Sequence, residues 1–392
     1  MRDLFTGAAA ADAEHVSREW LTSAQQIPTA RLVNGRYVSP WTEQTEKSFT
    51  AALKWMATRQ QIKLKLPPSV PRDPAKLLDP LESLDSAKVG DLSKAHATWI
   101  GHATMYLQIG GLYFITDPMF SDRCSPSQLV GPKRFVRPPA EIEDLDIDVV
   151  LLSHTHYDHL DYNSAMRISN KVKKSALWLV PLGVKAILAD WGIVDNVVEM
   201  DWWQTHTLVS PTTSEPINVH FLPAKHWTAR TPLDRNTCLW GGFAVTSQDC
   251  KFYFTGDTAY EDRLFKQIGA KFGPFDLCAI PIGAYKPRNF MRDHHCDPEE
   301  AVQIHNDVRS KQSVAIHWGT FPLADEDVAE PALELARIRQ GKALRPSTSF
   351  FTMRHGATHC VGDVPPQDFA EKHEGWLEMY TEAWESNPAL RL

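Results

Sequence analysis

The chain has 392 residues, 43% of them apolar and 23% charged, enough to bury one large core or two modest ones. Its formal net charge of −7 offers no general attraction to nucleic acid, and the run Lys171, Lys173 and Lys174 reads as a solvated helix face rather than a basic patch. Six scattered cysteines without a CxxC pair exclude a disulfide scaffold. No signal-peptide pattern or bilayer-length apolar run is present, so the sequence reads as intracellular, either soluble or held at a membrane surface.

Residues 1–40 are polar and loop-rich. From Glu43 to about Lys63, Phe49, Ala52, Leu53 and Met56 keep helical spacing. That predicts an amphipathic helix which packs on the domain surface or touches a membrane or partner. Pro67, Pro68, Pro71, Pro74 and Pro80 make a linker-like stretch, so residues 1–93 read as an N-terminal extension and 94–392 as the main domain. Thr98–Ile109, the Gly110-Gly111 turn and Leu112–Thr116 read as a β-hairpin. A helix is expected over about Glu261–Phe272, and another starts at Asp297, an N-cap followed by Pro298 and two glutamates. Strands interleaved with helices predict a layered α/β fold.

The apolar run Ile147–Leu152 leads directly into Ser153-His154-Thr155-His156-Tyr157-Asp158-His159. Four metal-capable side chains within six residues, as HxHxDH, offer the imidazole and carboxylate ligands of catalytic zinc. Three further apolar runs each end in one donor: His226 after Ile217–Leu222, Asp257 after Lys251–Phe254, and His317 after Ser313–Ile316. A lone histidine at a strand end is commonly a capping or core residue; three such donors after an HxHxDH loop predict ligands. The expected division places His154, His156 and His226 on one Zn²⁺ and Asp158, His159 and His317 on a second, with Asp257 shared. Such a pair leaves room for a water that ionises near neutral pH and acts as nucleophile, and two ions suit in-line displacement at phosphorus. Asp158 and Asp257 are thereby candidate catalytic groups.

Further short segments stand outside the metal loop. The segments Gly101-His102-Ala103-Thr104, Thr116-Asp117-Pro118, Gly131-Pro132-Lys133-Arg134-Phe135, Ile280-Pro281-Ile282-Gly283-Ala284-Tyr285 and Ile316-His317-Trp318-Gly319-Thr320-Phe321 stand in order. Together with HxHxDH they resemble the N-acyl-phosphatidylethanolamine-hydrolysing phospholipase D family of the metallo-β-lactamase superfamily, over roughly residues 35–360. The resemblance implies an αββα sandwich and hydrolysis of N-acyl-phosphatidylethanolamine to an N-acylethanolamine and phosphatidic acid by a hydroxide held between two zinc ions. It also implies a membrane surface as partner, a homodimer, and substrate contacts at Tyr157 and His295, the latter also a candidate catalytic group. Two positions depart from the family pattern: Ala229 stands where a lysine is expected, with Arg230 adjacent as a substitute, and His294 stands for a glutamine.

Among the remaining polar residues, His102 and Asp117 are candidates to hold the ligands from behind, or else buried polar core residues. Arg288 is a weaker phosphate candidate. Competing functions are a lactonase or soluble phosphodiesterase on the same fold and metals, glutathione-thioester hydrolysis, and a non-catalytic scaffold; the last predicts eroded ligands, and all seven positions are filled.

Overall fold

A computed structural model gives the fold. It describes residues 28–41, 64, 71–84, 89, 94–171, 176–341, 343–373, 375–387 and 390; the helix expected over about 43–63 lies outside them. A small hairpin, β1 (Arg31–Val33) with β2 (Arg36–Val38), precedes the main body. Within the proline-rich stretch, Pro74–Leu78 forms one helical turn capped by Asp73, with Leu77 and Leu78 buried.

Two seven-stranded sheets follow. The first contains β3 (His96–Gly101), β4 (Thr104–Ile109), β5 (Leu112–Thr116), β6 (Val149–Leu151), β7 (Leu177–Pro181) and β8 (Val197–Met200). The second contains β9 (Thr205–Val209), β10 (Pro216–Leu222), β11 (Gly242–Thr246), β12 (Lys251–Phe254), β13 (Leu277–Pro281), β14 (Gln312–Ile316) and β15 (Ser349–Phe351). A last strand, β16 (Thr358–Cys360), returns to pair antiparallel with β3, giving the order β16-β3-β4-β5-β6-β7-β8 beside β9 through β15. In each sheet three antiparallel pairings give way to three parallel ones, at β5–β6 and at β12–β13.

Parallel neighbours need crossovers: helices Tyr162–Ser169 and Val184–Asp190 make the β6–β7 and β7–β8 crossovers of the first sheet, a long loop makes β5–β6, and Asp262–Lys271, Pro298–Asp307 and Glu330–Gln340 serve the second. Strand alternation sorts the side chains. Met105, Leu107 and Ile109 of β4 join Ile217, Val219 and Phe221 of β10 in the core between the sheets. Tyr106, Ile115 and Val150 instead face Ile168 and Leu188 of the covering helices. The result is the expected αββα sandwich. The Asp297 start is a full capping box: its carboxylate accepts from Glu300 N (2.9 Å), while Glu300 Oε2 accepts from Asp297 N (3.2 Å).

One expectation is corrected. Thr98–Ile109 is not a single strand of a hairpin but two antiparallel strands, turned at Gly101 (φ 138°) and His102 (φ 53°). Thr320 Oγ1 holds the turn by accepting from His102 N (2.7 Å). Among the described residues no helix is long and apolar enough to cross a membrane.

Candidate metal centre

The centre forms where the strands of both sheets end. β6 delivers the loop His154–His159, and β10, β12 and β14 run out at His226, Asp257 and His317. Ahead of Asp257, Gly256 has φ 62°, and a Cβ there would stand 2.4 Å from the carbonyl of Gly241; only glycine lets the two strands approach so closely.

One donor group is His154, His156 and His226. His154 Nε2 lies 2.8 Å and His226 Nε2 3.2 Å from His156 Nδ1. Neighbouring groups fix two tautomers. Ser153 Oγ donates to Asp117 (2.5 Å) and accepts from His154 Nδ1 at 2.8 Å; His226 Nδ1 donates to the His294 carbonyl at 2.8 Å. Both Nε2 lone pairs therefore point inward. Three converging imidazole nitrogens, two of them without a proton, are a poor hydrogen-bonding set and a good cation-binding one. Burial lowers all three pKa values, that of His156 to about 4, so the rings stay neutral and ready to bind.

The second group is His102, Asp158, His159 and His317. His159 Nε2 lies 3.4 Å from Asp158 and 3.1 Å from Asp257; His317 Nε2 lies 3.5 Å and 3.2 Å from the same carboxylates. Neither Nε2 has a well-aligned hydrogen-bond partner. Burial alone would raise Asp158 and Asp257 and lower His159 and His317, but their mutual attraction wins. Both carboxyls are held well below their usual range, His159 is pushed up, and His317 rises to about 9. Without a cation, protons on these two rings balance the charge; a bound cation would displace them. The donor set thus fits one metal ion in each group. The Asp257 carboxylate reaches both, with Oδ2 also 3.7 Å from His226 and 3.9 Å from His154.

Asp117 and His102 brace these groups from behind. Asp117 accepts from His159 Nδ1 (2.6 Å), Ser153 N (2.7 Å) and Ser153 Oγ. His102 Nε2 donates to Asp158 Oδ2 at 3.0 Å, its pKa lowered to about 3 by burial and His317. Such contacts orient ligands and set their basicity. His102, Asp117 and His317 all hold φ above +30°, strained backbone collected at the centre.

His295 reaches the edge of the centre. Its unpartnered Nδ1 is 3.9 Å from Asp257, and its ring centroid is 5.1 Å from His226 and 5.4 Å from His317. Tyr157 is partly buried with Arg230 stacked on it, the guanidinium carbon 4.1 Å from the ring centroid. The two arginines expected at substrate are turned inward. Arg230 donates to the carbonyls of Thr155 (2.9 Å) and Leu160 (2.8 Å), at either end of the metal loop. Arg288 donates to the His295 carbonyl and to Glu300, both at 2.8 Å, and lies 3.3 Å from Asp297. Each satisfies backbone acceptors that the loops would otherwise bury unpaired, so each supports a donor segment and does not line an open phosphate site.

Sequence reasoning missed several contributors. The Thr228 hydroxyl bonds Thr155 of the metal loop, Trp227 meets His156 in a T-shaped contact at 4.5 Å, and Arg235 lies 4.1 Å over the Trp227 ring. Glu326 accepts from Ala284 N (2.6 Å) and Lys286 N (3.0 Å), while buried Lys286 pairs with Glu330 at 2.8 Å, tying down the segment that leads to His295. Residues that pair across such sequence distances carry no local signal. A cavity of about 270 Å³ opens beside His317, lined by Leu64, Leu77, Phe135, Trp318, Phe321 and Leu323.

Residues 113–318 match the family described as the Beta-lactamase superfamily domain. Over 290 residues the chain is 41% identical to N-acyl-phosphatidylethanolamine-hydrolyzing phospholipase D 1 of Caenorhabditis elegans, covering 72% of this chain and 81% of that one. The chain belongs to the N-acyl-phosphatidylethanolamine-hydrolysing phospholipase D family of the beta-lactamase superfamily. Membership makes it a metal-dependent hydrolase. A second phospholipase D relative is the mitochondrial N-acyl-phosphatidylethanolamine-hydrolyzing enzyme of Saccharomyces cerevisiae, 36% identical over 270 residues; these cover 68% of this chain and 56% of that relative, so the match spans little more than half its length. Among solved structures, a possible metal-dependent hydrolase from Veillonella parvula shares the fold with a TM-score of 0.53 at 18% identity, covering 68% of this chain and all of that one.

Proposed function

We propose that the protein is a phospholipase D-type phosphodiesterase that hydrolyses N-acyl-phosphatidylethanolamine to an N-acylethanolamine and phosphatidic acid with two zinc ions. The observation that carries the reading is the Asp257 carboxylate lying between two donor groups, in a chain 41% identical to a relative named for that reaction. His154, His156 and His226 would hold one ion, Asp158, His159 and His317 the other, and Asp257 both. Bound there, the ions would supply an activated water and neutralise a phosphoryl oxygen.

The chain's own residues do the rest. Asp117 and His102 fix the ligands. His295, neutral near pH 7 because burial lowers it to about 4, offers a hydrogen bond to a phosphoryl oxygen, and Tyr157 narrows the approach to the metal loop. The cavity beside His317 takes an acyl chain along its apolar wall of Phe135, Trp318 and Leu323, with Arg72, Glu326 and Asp327 on the remainder of its lining. In the net reaction, water oxygen bonds to phosphorus, the bond from phosphorus to the ethanolamine oxygen breaks, and that oxygen leaves with a proton. Residues 94–392 form the catalytic domain in this reading, with 1–93 as an extension. The protein works as a homodimer inside the cell, on the cytosolic face of internal membranes.

Purified protein on N-acyl-phosphatidylethanolamine vesicles tests this, beside small soluble diesters and lactones. Turnover of the lipid that chelation abolishes and zinc restores is expected. Equal turnover of the soluble compounds would move the assignment to a soluble phosphodiesterase or lactonase, and turnover in fully chelated protein would end the metal reading.

A further inference from the structure

Between β5 and β6 the chain leaves the first sheet, and residues 122–134 fold back as a hairpin. Cys124 N donates to Pro132 O (3.2 Å) and Arg134 N to Asp122 O (2.8 Å), with an antiparallel bridge between Arg123 and Lys133. The turn is braced twice. The Gln128 amide donates to Arg123 O (2.9 Å) and accepts from Arg123 N (3.1 Å), while the Arg123 guanidinium donates to Gly131 O. Gly131 has φ 100°, and a Cβ there would stand 2.6 Å from Ser125 Cβ, so the closure requires glycine. What this braced turn presents is apolar: Leu129 is 87% exposed and Val130 65%.

The base of the hairpin is fastened to the metal centre. Buried Arg134 donates to Met119 O (2.7 Å) and Ser121 O (3.0 Å) and lies 5.2 Å from the Phe321 ring centroid; Phe321 in turn meets the His102 ring edge-on at 5.4 Å. Phe135 N donates to Thr320 O (2.8 Å), and the Phe135 side chain lines the cavity beside His317. Arg123 and Lys133 face each other in the stem below the tip, and Arg137 follows the base; Lys133 and Arg137 are exposed.

We propose that the Leu129–Val130 tip inserts into the headgroup region of an anionic phospholipid bilayer, with Arg123, Lys133 and Arg137 against lipid phosphates, and so docks the cavity beside His317 on the membrane. The choice of occupant rests on the phospholipid-substrate reading. Two aliphatic side chains are far too small a patch for a stable contact between protein copies, which buries about 800 Å² per partner. They suit an interface where burial of one or two apolar groups adds to attraction between cations and anionic lipid.

The test is co-sedimentation of the full-length, metal-loaded protein with vesicles of phosphatidylcholine alone and of phosphatidylcholine with phosphatidylglycerol. Stronger binding to the anionic vesicles is expected. Leu129→Ser with Val130→Ser should weaken it about 100-fold, roughly tenfold for each side chain. Lys133→Gln and Arg137→Gln should each weaken it about fivefold at low salt. Leu129→Trp should show a blue shift of emission on vesicle addition, while the melting temperature and hydrolysis of a monomeric short-chain substrate stay as in the wild type. Equal vesicle binding by wild type and double variant would overturn the proposal, as would no binding by the wild type. So would a double variant that turns a dimer into a monomer yet binds vesicles normally. Because sedimentation needs no turnover, a protein that docks but cleaves no phospholipid would sink the substrate reading and leave the docking standing.

Discussion

The two sheets contribute to the centre in opposite ways. The first spends a single loop: four donors arrive in six residues after β6, backed by Asp117 after β5 and His102 in the β3–β4 turn. The second sends one donor from the end of each of three strands, His226, Asp257 and His317, plus His295 from the segment between β13 and the helix Pro298–Asp307. A clustered set is cheap to align internally, since neighbours on one loop move together. A dispersed set is aligned only when the whole sheet is built, and it binds the site to the fold.

The sharpest way to break this comparison is at the residue that joins the halves. Asp257→Asn should lower turnover about 1,000-fold or more and reduce the metal content per chain, read by elemental analysis, because several kcal/mol of charge stabilisation is lost on both groups at once. If metal content stays at the wild-type level with full turnover, the shared role of Asp257 fails. Next, Asp117→Asn strikes the clustered half alone. It removes the charge and leaves one acceptor oxygen where two served His159 Nδ1, Ser153 Oγ and Ser153 N, and should weaken metal binding about 10–100-fold in a competition titration with a chelator.

Smaller effects compare the supports of the two halves. Arg230→Met frees the carbonyls of Thr155 and Leu160 under the metal loop, and Arg288→Met frees that of His295; each should cost about 1–3 kcal/mol in thermal or denaturant unfolding. A loss confined to one variant would show that only one loop depends on its arginine.

The second half also carries a titrating support. Burial pushes Glu326 up to about 7, so the fold favours its protonated form. The stability it contributes is full at acid pH and declines as pH rises from the ordinary glutamate range to about 7. Glu326→Gln should flatten that part of the profile of melting temperature against pH; an unchanged slope would assign it to other groups. The smallest effect belongs to His294→Gln. The His294 backbone carbonyl, not its side chain, holds His226, so metal content should stay unchanged within measurement.

This contrast also governs what the sequence reveals. HxHxDH is legible because its spacing is local, and the strand-end donors became legible only because each follows a buried apolar run. The alternation of such runs with capped helices pointed to a layered α/β fold, and the αββα order came from the family resemblance. His102 is another matter: its left-handed turn has no second glycine to announce it, and Thr98–Ile109 reads as continuous strand. Nor does an arginine beside a ligand declare whether it faces solvent or the protein; Arg230 donates to two carbonyls, and Arg288 to one carbonyl and the Glu300 carboxylate. Pairings such as Thr155 with Thr228 or Ser153 with Asp117 join short polar residues far apart in the chain, where nothing periodic marks them.

The return of β16 to β3 has a consequence for how the molecule is made. Thr358–Cys360 pair with His96–Thr98, more than 250 residues earlier, across a second sheet already in place. A nascent chain can therefore lay down every metal donor and still expose the bare edge of β3 until residues 358–360 leave the ribosome. Synthesis that stalls in that window would leave a chain with all its chemistry present and one sticky border open to its neighbours.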